Sequence, residues 1–314
     1  INSVNNGRIS HAQLFLGPEG CGNLPMAIAY AQYISCQDKG LDDSCAKCAS
    51  CIKFQKLIHP DLHFVFPVAS SADVKDKPTS TKYISQWRIA ILEEPYLSLA
   101  NWQNRIETGN KQLLISKNES EAILKVLSLK TYESEYKTMI IWYPERFNIA
   151  SGNKLLKIIE EPPSKTLFIL VAQDTEQIIS TILSRTQLVK IGRIKEDILQ
   201  TELENKYSLE STVAHKIAHQ SDGNLITAKN LIEHSSTEEE FHQLFKIWMR
   251  SAFKGEVAGL ISWSENIAST SFGREKQKQF LKYGLHLFRE SLIKNYGDPE
   301  MGRTANNEVK FISN

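Results

Sequence analysis

The sequence predicts an α/β protein with a parallel, doubly wound sheet, followed by a part that is entirely helical. Short apolar segments alternate with helical patterns as far as Gly192, which is typical of strand–helix–strand units. In such units the helix crosses over the sheet, so consecutive strands run parallel, and the crossovers are right-handed. After Gly192 the strand patterns stop and helical patterns take over.

A glycine-rich loop follows the first predicted strand and opens the first predicted helix. The strand covers residues 13–16, the loop residues 17–22 (GPEGCG), and the small-residue run 27–31 lies in the helix. This is the frame of a P-loop, which binds phosphates through backbone N–H groups and a helix N-terminus. The P-loop pattern continues with a lysine and a hydroxyl residue, but Asn23 and Leu24 stand there. We therefore expect a loop that does not turn over nucleotide. Its glycines are Gly17, Gly20 and Gly22.

Four of the five cysteines lie in one short window, with the spacing C-x8-C-x2-C-x2-C. They are Cys36, Cys45, Cys48 and Cys51. Two C-x2-C steps can direct thiolates at one ion, and four sulfur ligands suit tetrahedral Zn²⁺. Since a four-sulfur site has no open position, we expect a structural zinc knuckle. The alternative is a degenerate knuckle with reduced, empty cysteines. The fifth cysteine, Cys21, is interpreted as a small loop residue.

A strand is predicted within residues 59–67, and a long polar segment follows it. His59 and His63 lie close to the cysteines, but the alternating apolar residues around them favour packing over metal ligation. Residues 69–109 are rich in Ser, Thr, Lys and Asp and contain only scattered helical pieces. We expect this segment to be a surface insertion, and the sequence assigns it no role.

The rest of the α/β part alternates strands with helices. Strands are predicted at 113–116, 137–145, 167–172 and 188–191, and helices at 119–130, 153–161 and 175–184. An ATPase of the P-loop type carries carboxylates at the tip of its third strand. Here the strand ends in Trp142 and Tyr143, and Glu145 follows a proline. These aromatic residues are interpreted as packing residues, which also argues against hydrolysis.

The helical part is predicted from apolar residues at helical spacing. Three helices are expected at 195–204, 209–221 and 226–234. A fourth, beginning near Thr237, and a fifth at 274–296 follow them.

Composition limits the classes of partner. The 37 Lys and Arg residues nearly balance the 36 Asp and Glu residues, so no overall field favours nucleic acid or membrane. The apolar runs are far shorter than a membrane span. With no visible signal peptide, we expect a cytoplasmic protein. Because the chain begins with Ile1 and ends without a clear helix terminator, we also expect sequence to be missing at both ends.

Several strings in this order resemble the delta-prime family of AAA+ subunits in the bacterial DNA polymerase III clamp loader. They are RISHA at 8–12, the glycine loop, the four-cysteine insert, NKLLKIIEEPP at 153–163 and Ser184-Arg185-Thr186. The resemblance covers about residues 8–235. It implies an AAA+ base at 1–191, with a zinc-binding insert at 36–51 and the insertion at 69–109. A helical lid at 192–235 and a helical collar at 236–314, expected to be incomplete, would follow.

The resemblance also implies a function. In that family a Ser-Arg-Cys motif supplies an arginine to the ATP site of the adjacent subunit, and Arg185 keeps this arginine. The lid arginine that senses a subunit's own nucleotide has no counterpart in residues 222–228. The hypothesis is therefore a subunit without ATPase activity of its own, within a nucleotidyltransferase assembly. Its partners would be the other subunits of a hetero-pentamer and, through the complex, the sliding clamp and primed DNA. Zn²⁺ would be structural, ATP would not bind productively, and no membrane would be involved.

Three alternatives stay open at this point. Arg185 could instead be a surface charge that complements a helix C-terminus. The chain could be an ATP-hydrolysing clamp-loader subunit, or a zinc-containing DNA-binding module with a relic P-loop. Lys117, Lys154 and Lys157 could contact a phosphate backbone, although solvated helix charges explain them as well.

Overall fold

The computed structural model of the protein describes residues 1–233, 235–269 and 272–297. These residues fall into two compact units, Ile1–Ile194 and a second that begins at Lys195. No helix within the described ranges is both long enough and apolar enough to span a bilayer. The division of the second unit into lid and collar stays a prediction.

The first unit is built on a parallel sheet of five strands in the order β2-β3-β4-β1-β5. The strands are β1 (Ala12–Leu16), β2 (Leu62–Val65), β3 (Lys137–Trp142), β4 (Thr166–Ala172) and β5 (Gln187–Lys190). The helices are α1 (Asn2–Asn5), α2 (Asn23–Ser35), α3 (Ala49–Gln55), α4 (Ile84–Glu93), α5 (Leu99–Arg105), α6 (Lys117–Leu127), α7 (Ile149–Glu160) and α8 (Ser180–Leu183). Short 3₁₀ turns cover Ser80–Tyr83 and Pro144–Arg146.

Two hydrophobic cores lie on opposite faces of the sheet. Every residue of β3 and β4 is buried, as expected for central strands covered on both sides. Successive side chains of a strand point to opposite faces, so Ile140 and Ile169 join one core while Ile141 and Leu170 join the other. The first core also contains residues of α2 and α4, and the second contains residues of α6, α7 and α8. The predicted doubly wound arrangement is therefore confirmed.

The prediction that residues 69–109 form a surface insertion is wrong. Trp87 in α4 and Trp102 in α5 have no exposed surface, and both belong to the first core. Trp87 stacks on Phe66 at a centroid distance of 4.1 Å, and Trp102 packs edge-on against Trp87 at 5.2 Å. The prediction followed the polar average composition of the segment, but its large aromatic residues pack into the core.

A buried carboxylate also ties this segment to α6. Glu119, in the first turn of α6, is 2% exposed, and its Oε2 accepts a hydrogen bond from the backbone N–H of Ser80 at 2.7 Å. Burial raises the pKa of Glu119 to about 7, and the hydrogen bonds from Ser80 only partly oppose the rise.

Two further predicted elements are corrected. Residues 113–116 make only isolated bridges, Leu114 with Val68 and Ile115 with Phe147, and add no strand to the sheet. Leu113 and Ile115 are buried, so their apolar character reflects packing rather than strand pairing. In the predicted helix at 175–184, only Ser180–Leu183 is helical.

The second unit is helical throughout its described residues. Its helices are α9 (Glu196–Tyr207), α10 (Ser211–Ser221), α11 (Leu225–Glu233), α12 (Ser235–Lys254), α13 (Val257–Ala268) and α14 (Arg274–Tyr296). A core of apolar residues from α12 and α14 includes Phe241, Phe245, Phe280 and Leu287. The five predicted helices are present, and α13 was not predicted. The expected incomplete end of the collar lies outside the described residues.

Candidate functional site: glycine loop, cysteine cluster and Arg185

The glycine loop lies at the carboxyl end of β1, where ligands of open α/β sheets bind. The Gly17 N–H donates to the carbonyl of Ala172 at the end of β4, at 3.1 Å. Gly20 and Gly22 have φ angles of 73° and 91°, in the left-handed region that glycine enters without steric cost. Gly22 then begins α2 as its N-cap. The loop therefore has the backbone course and the position that the sequence predicts.

Asn23 occupies the place of the P-loop lysine and bonds to the loop itself. Its side-chain amide donates to the carbonyls of Gly17 at 3.2 Å and Ala172 at 3.1 Å. Its Oδ1 accepts from the backbone N–H of Leu24 at 2.9 Å. A buried side chain held by three hydrogen bonds is not available to a phosphate. This residue fastens the loop to the sheet and brings no positive charge.

Two further side chains lie against the loop. A Cβ added to Gly17 would come within 2.5 Å of Cys21 Sγ, so the sulfur lies directly against the loop backbone. A Cβ added to Gly22 would come within 3.1 Å of the Tyr96 ring, which belongs to the connection between α4 and α5. Burial raises the pKa of the Cys21 thiol, and the backbone N–H of Asn23 partly opposes the rise. The loop is thus packed by neutral groups of the same chain.

The carboxylate that follows β3, that of Glu145, is held by backbone N–H groups through one of its two oxygens. Trp142 is 3% exposed and packs against Trp87 at a centroid distance of 5.1 Å. Glu145 Oε1 accepts backbone hydrogen bonds from Gln173 at 2.6 Å and Asp174 at 3.1 Å. Burial raises the pKa of Glu145. Glu145 therefore closes the turn after β4, a role that the sequence did not reveal because the bonded residues lie far along the chain.

The four cysteines converge on one point. Cys36 ends α2, Cys48 is the N-cap of α3, and Cys51 lies in the first turn of α3. Their sulfur atoms all lie within 4.8 Å of one another. The Sγ atoms of Cys45 and Cys51 are 3.9 Å apart, close to the roughly 3.8 Å expected between ligands of a tetrahedral zinc–sulfur centre. The cluster is therefore close enough to bind a metal ion.

Backbone N–H groups favour a thiolate in this cluster. The N–H of Cys51 donates to Cys48 Sγ at 3.4 Å, and the N–H of Cys48 donates to Cys45 Sγ at 3.3 Å. Burial raises the pKa of Cys48, but hydrogen bonds from the backbone N–H groups of Cys51 and Gln37 outweigh it and lower the pKa to about 6. Burial and the neighbouring thiols raise the pKa of Cys51 to about 12. The donor set fits a cation that accepts sulfur ligands.

The two histidines near the cluster are packing residues. Among the described residues, the cysteines alone form a group of potential ligands within mutual reach. The His59 ring packs on Phe54 at a centroid distance of 4.6 Å, and its Nδ1 accepts from the backbone N–H of Asp61 at 3.1 Å. His63 lies in β2, and burial lowers its pKa to about 4.

Arg185 follows α8 and is held within its own chain. Its Nε and Nη2 both contact Oε1 of Glu160, the last residue of α7. Its Nη1 donates to the Thr181 carbonyl at 2.9 Å and to Ser184 Oγ at 3.1 Å. The side chain is 34% exposed. The guanidinium therefore reaches the surface, but in this conformation it does not extend toward another molecule.

The lysines considered for DNA contact are only partly described. Lys117 and Lys157 are exposed, and the side chain of Lys154 lies outside the described residues. Contact with DNA stays a prediction.

The parallel sheet and the glycine loop that begins α2 define an α/β protein with a P-loop-like arrangement. A family model described as "DNA polymerase III, delta subunit" matches residues 1–195, and the chain belongs to this family. The resemblance stated from the sequence motifs is thereby confirmed.

Relatives with known names agree with this placement. The chain is 25% identical over 202 residues to the DNA polymerase III subunit delta' of Bacillus subtilis, covering 64% of this chain and 48% of the relative. It is 24% identical over 239 residues to the delta' subunit of Haemophilus influenzae, covering 76% and 60%. It is 25% identical over 244 residues to the gamma subunit of Buchnera aphidicola, covering 74% and 54%. The chain thus spans about half the length of the first curated relatives that it matches.

A solved structure is also similar. It is a DNA polymerase III gamma subunit-related protein from Thermotoga maritima, with 12% identity and a TM-score of 0.39, and the match covers 99% of this chain and 88% of that one.

Proposed function

We propose that the chain is a non-hydrolysing subunit of a DNA polymerase III clamp loader. It braces the complex and supplies Arg185 to the ATP site of a neighbouring subunit, and so supports the loading of a sliding clamp onto primed DNA. Its partners are the other subunits of a hetero-pentamer. The observation that carries the proposal is that Asn23 bonds to the loop carbonyls where an active P-loop places its lysine.

Hydrolysis needs groups that this site does not offer. Phosphoryl transfer relies on the P-loop lysine, a hydroxyl for Mg²⁺ and strand-tip carboxylates to stabilise charge and orient water. Asn23, Leu24 and the aromatic pair Trp142 and Tyr143 stand at these positions. Glu145 is engaged by the backbone after β4. Each replacement removes a separate requirement, so no single rearrangement restores the reaction.

An arginine supplied in trans accounts for a role without hydrolysis. A guanidinium presents planar paired N–H donors that match the oxygens of a transferring phosphoryl group. In the GTPase analogue such a finger is worth roughly 10³–10⁵ in rate. The partial exposure of Arg185 is consistent with this role. The contact with Glu160 must first break, and an exposed ion pair contributes only about 0–1 kcal/mol.

The cysteine cluster is proposed to hold one structural Zn²⁺. Four sulfur ligands from the chain leave no open coordination position for a substrate or water. The cluster also joins the end of α2 to the start of α3, so the ion would fix the angle between these helices.

Reconstitution with ATPase subunits of the same family tests the proposal. Arg185→Ala should leave assembly intact and reduce hydrolysis at the served site by on the order of 10³-fold, seen as the loss of one phase in single-turnover phosphate release. Arg105→Ala is the matched control, because the Arg105 side chain is also 34% exposed and pairs with Glu93 at 2.7 Å. Unchanged phosphate release in the Arg185→Ala complex would remove the proposed role.

A further inference from the structure

Each nitrogen of the Arg185 guanidinium has a partner, either Glu160 or another nearby group of the same chain. Nε and Nη2 meet the carboxylate, while Nη1 is bonded to Thr181 and Ser184. An arginine that acts on another subunit's nucleotide cannot use these donors at the same time. It must exchange the carboxylate of its own chain for the phosphate of its neighbour.

The position of the pair favours a contact that can open over one that holds Arg185 permanently. Glu160 ends α7, where the negative end of the helix dipole disfavours a carboxylate and a nearby cation offsets this. Arg185 also donates to the carbonyl of Thr181 in the short helix α8. Both side chains remain partly exposed, at 34% for Arg185 and 40% for Glu160, so water can replace either partner. Pairs of this kind contribute little to stability.

A nucleoside triphosphate competes for the guanidinium more strongly than the Glu160 carboxylate does. It offers more negative charge than one carboxylate, and charge-assisted bonds from arginine to phosphate are often bidentate. At a subunit interface, with less water present, these bonds also gain strength. The exchange is therefore favourable once a neighbour presents its nucleotide, and unfavourable before that.

We propose that Glu160 is a positioning residue that stores Arg185 until a nucleotide-bound neighbour competes for it. This inference rests on the proposed function, since it concerns the regulation of the same arginine. Glu160 then restrains hydrolysis in a resting complex, when the neighbouring site is not fully closed. The restraint disappears when the assembly engages DNA and the interface closes.

Glu160→Gln in the reconstituted complex tests the inference. Glutamine keeps the length of the side chain and an acceptor oxygen but removes the charge. We expect hydrolysis without DNA to rise by about two- to fivefold, the size of one exposed ion pair. The DNA-stimulated maximum should stay unchanged, because Arg185 is already released there. Glu93→Gln is the control, since it removes the carboxylate paired with Arg105, whose side chain is as exposed as that of Arg185.

A second measurement observes the contact itself in the full chain. Side-chain NMR of ¹⁵N-labelled arginine should show that the Arg185 Nε–H exchanges with water several-fold faster in Glu160→Gln than in the unmodified chain. Glu93→Gln should not change it. If Nε–H exchange is as fast in the unmodified chain as in free arginine, the arginine is not stored.

The outcomes separate this inference from the proposed function. If Arg185→Ala lowers hydrolysis while Glu160→Gln changes neither hydrolysis nor exchange, storage is wrong and the in-trans role stands. If Glu160→Gln lowers the DNA-stimulated rate, Glu160 orients the arginine for catalysis and storage is again wrong. If Arg185→Ala has no effect, the proposed function fails and the regulation proposed for it fails with it.

Discussion

Trp87 and Trp102 form a matched pair that tests how residues 69–109 are built into the core. Both have no exposed surface and belong to the same aromatic cluster. They differ in the hydrogen bonding of the indole N–H. Trp102 Nε1 donates to the carbonyl of Pro67 at 2.9 Å, whereas Trp87 Nε1 is buried without a hydrogen-bond partner in the part of the chain that the structure describes.

Replacing each tryptophan with phenylalanine removes the same volume, so the packing loss largely cancels between the two variants. Trp102→Phe also removes a hydrogen bond and leaves the buried carbonyl of Pro67 unpaired, which costs about 1–3 kcal/mol. Trp87→Phe removes a donor that was never paired. We therefore expect Trp102→Phe to lower the free energy of unfolding by about 1–3 kcal/mol more than Trp87→Phe.

Urea denaturation of the full chain, followed by far-UV circular dichroism, measures this difference. Circular dichroism is preferred because the substitutions alter tryptophan fluorescence. Equal losses, or a larger loss in Trp87→Phe, would contradict the hydrogen-bond argument. If both variants lose less than about 0.5 kcal/mol of unfolding free energy, the segment lies at the surface, since surface substitutions rarely cost more.

Three further predictions concern the metal, the loop and pH. Purified protein should contain one zinc ion per chain by metal analysis, and Cys48→Ser should lower both zinc content and thermal stability while leaving a neighbour's hydrolysis nearly unchanged. Asn23→Lys combined with Leu24→Thr should give no ATPase activity in the isolated chain, because Tyr96 still lies on the loop; measurable magnesium-dependent turnover would contradict this. The pKa of Glu119 is raised by folding, so its stabilising contribution is present at low pH and is lost as pH rises from about 4.5 to about 7. Glu119→Gln should therefore be more stable than the unmodified chain at pH 8, by on the order of a few kcal/mol, and nearly equal to it at pH 4, measured by urea denaturation.

Elements with a strong and regular pattern were predictable from the sequence. β3 and β4 are continuous apolar runs because both faces of a central parallel strand are buried. The bounds predicted for the last helix, 274–296, match α14. By contrast, α13 was not predicted, although Leu260, Trp263 and Ile267 recur at helical spacing on its partly buried face. Residues 69–109 place Trp87, Trp102 and several smaller apolar side chains in the core, although the average composition of the segment is polar.

The residues of the candidate site could be predicted from the sequence, but the contacts that they make could not. The cysteine spacing predicted a cluster because its ligands are close in sequence. The partner of Asn23 at the end of β4 is 149 residues away, and Glu160 is 25 residues from Arg185. Sequence patterns report which groups are present, whereas such distant pairings depend on the folded sheet.

Helix α2 is flanked by Gly22 as its N-cap and Cys36 as its C-cap, so it connects the glycine loop to the cysteine cluster. Its thirteen residues span roughly 20 Å. The positive φ of Gly22 and the nearby Tyr96 ring leave little room for any side chain there. A loop with the shape of a phosphate-binding loop can thus still be required to direct the chain into α2, although it lacks the groups for nucleotide hydrolysis. Gly22 would then resist replacement for architectural reasons, even in a protein that never holds a nucleotide.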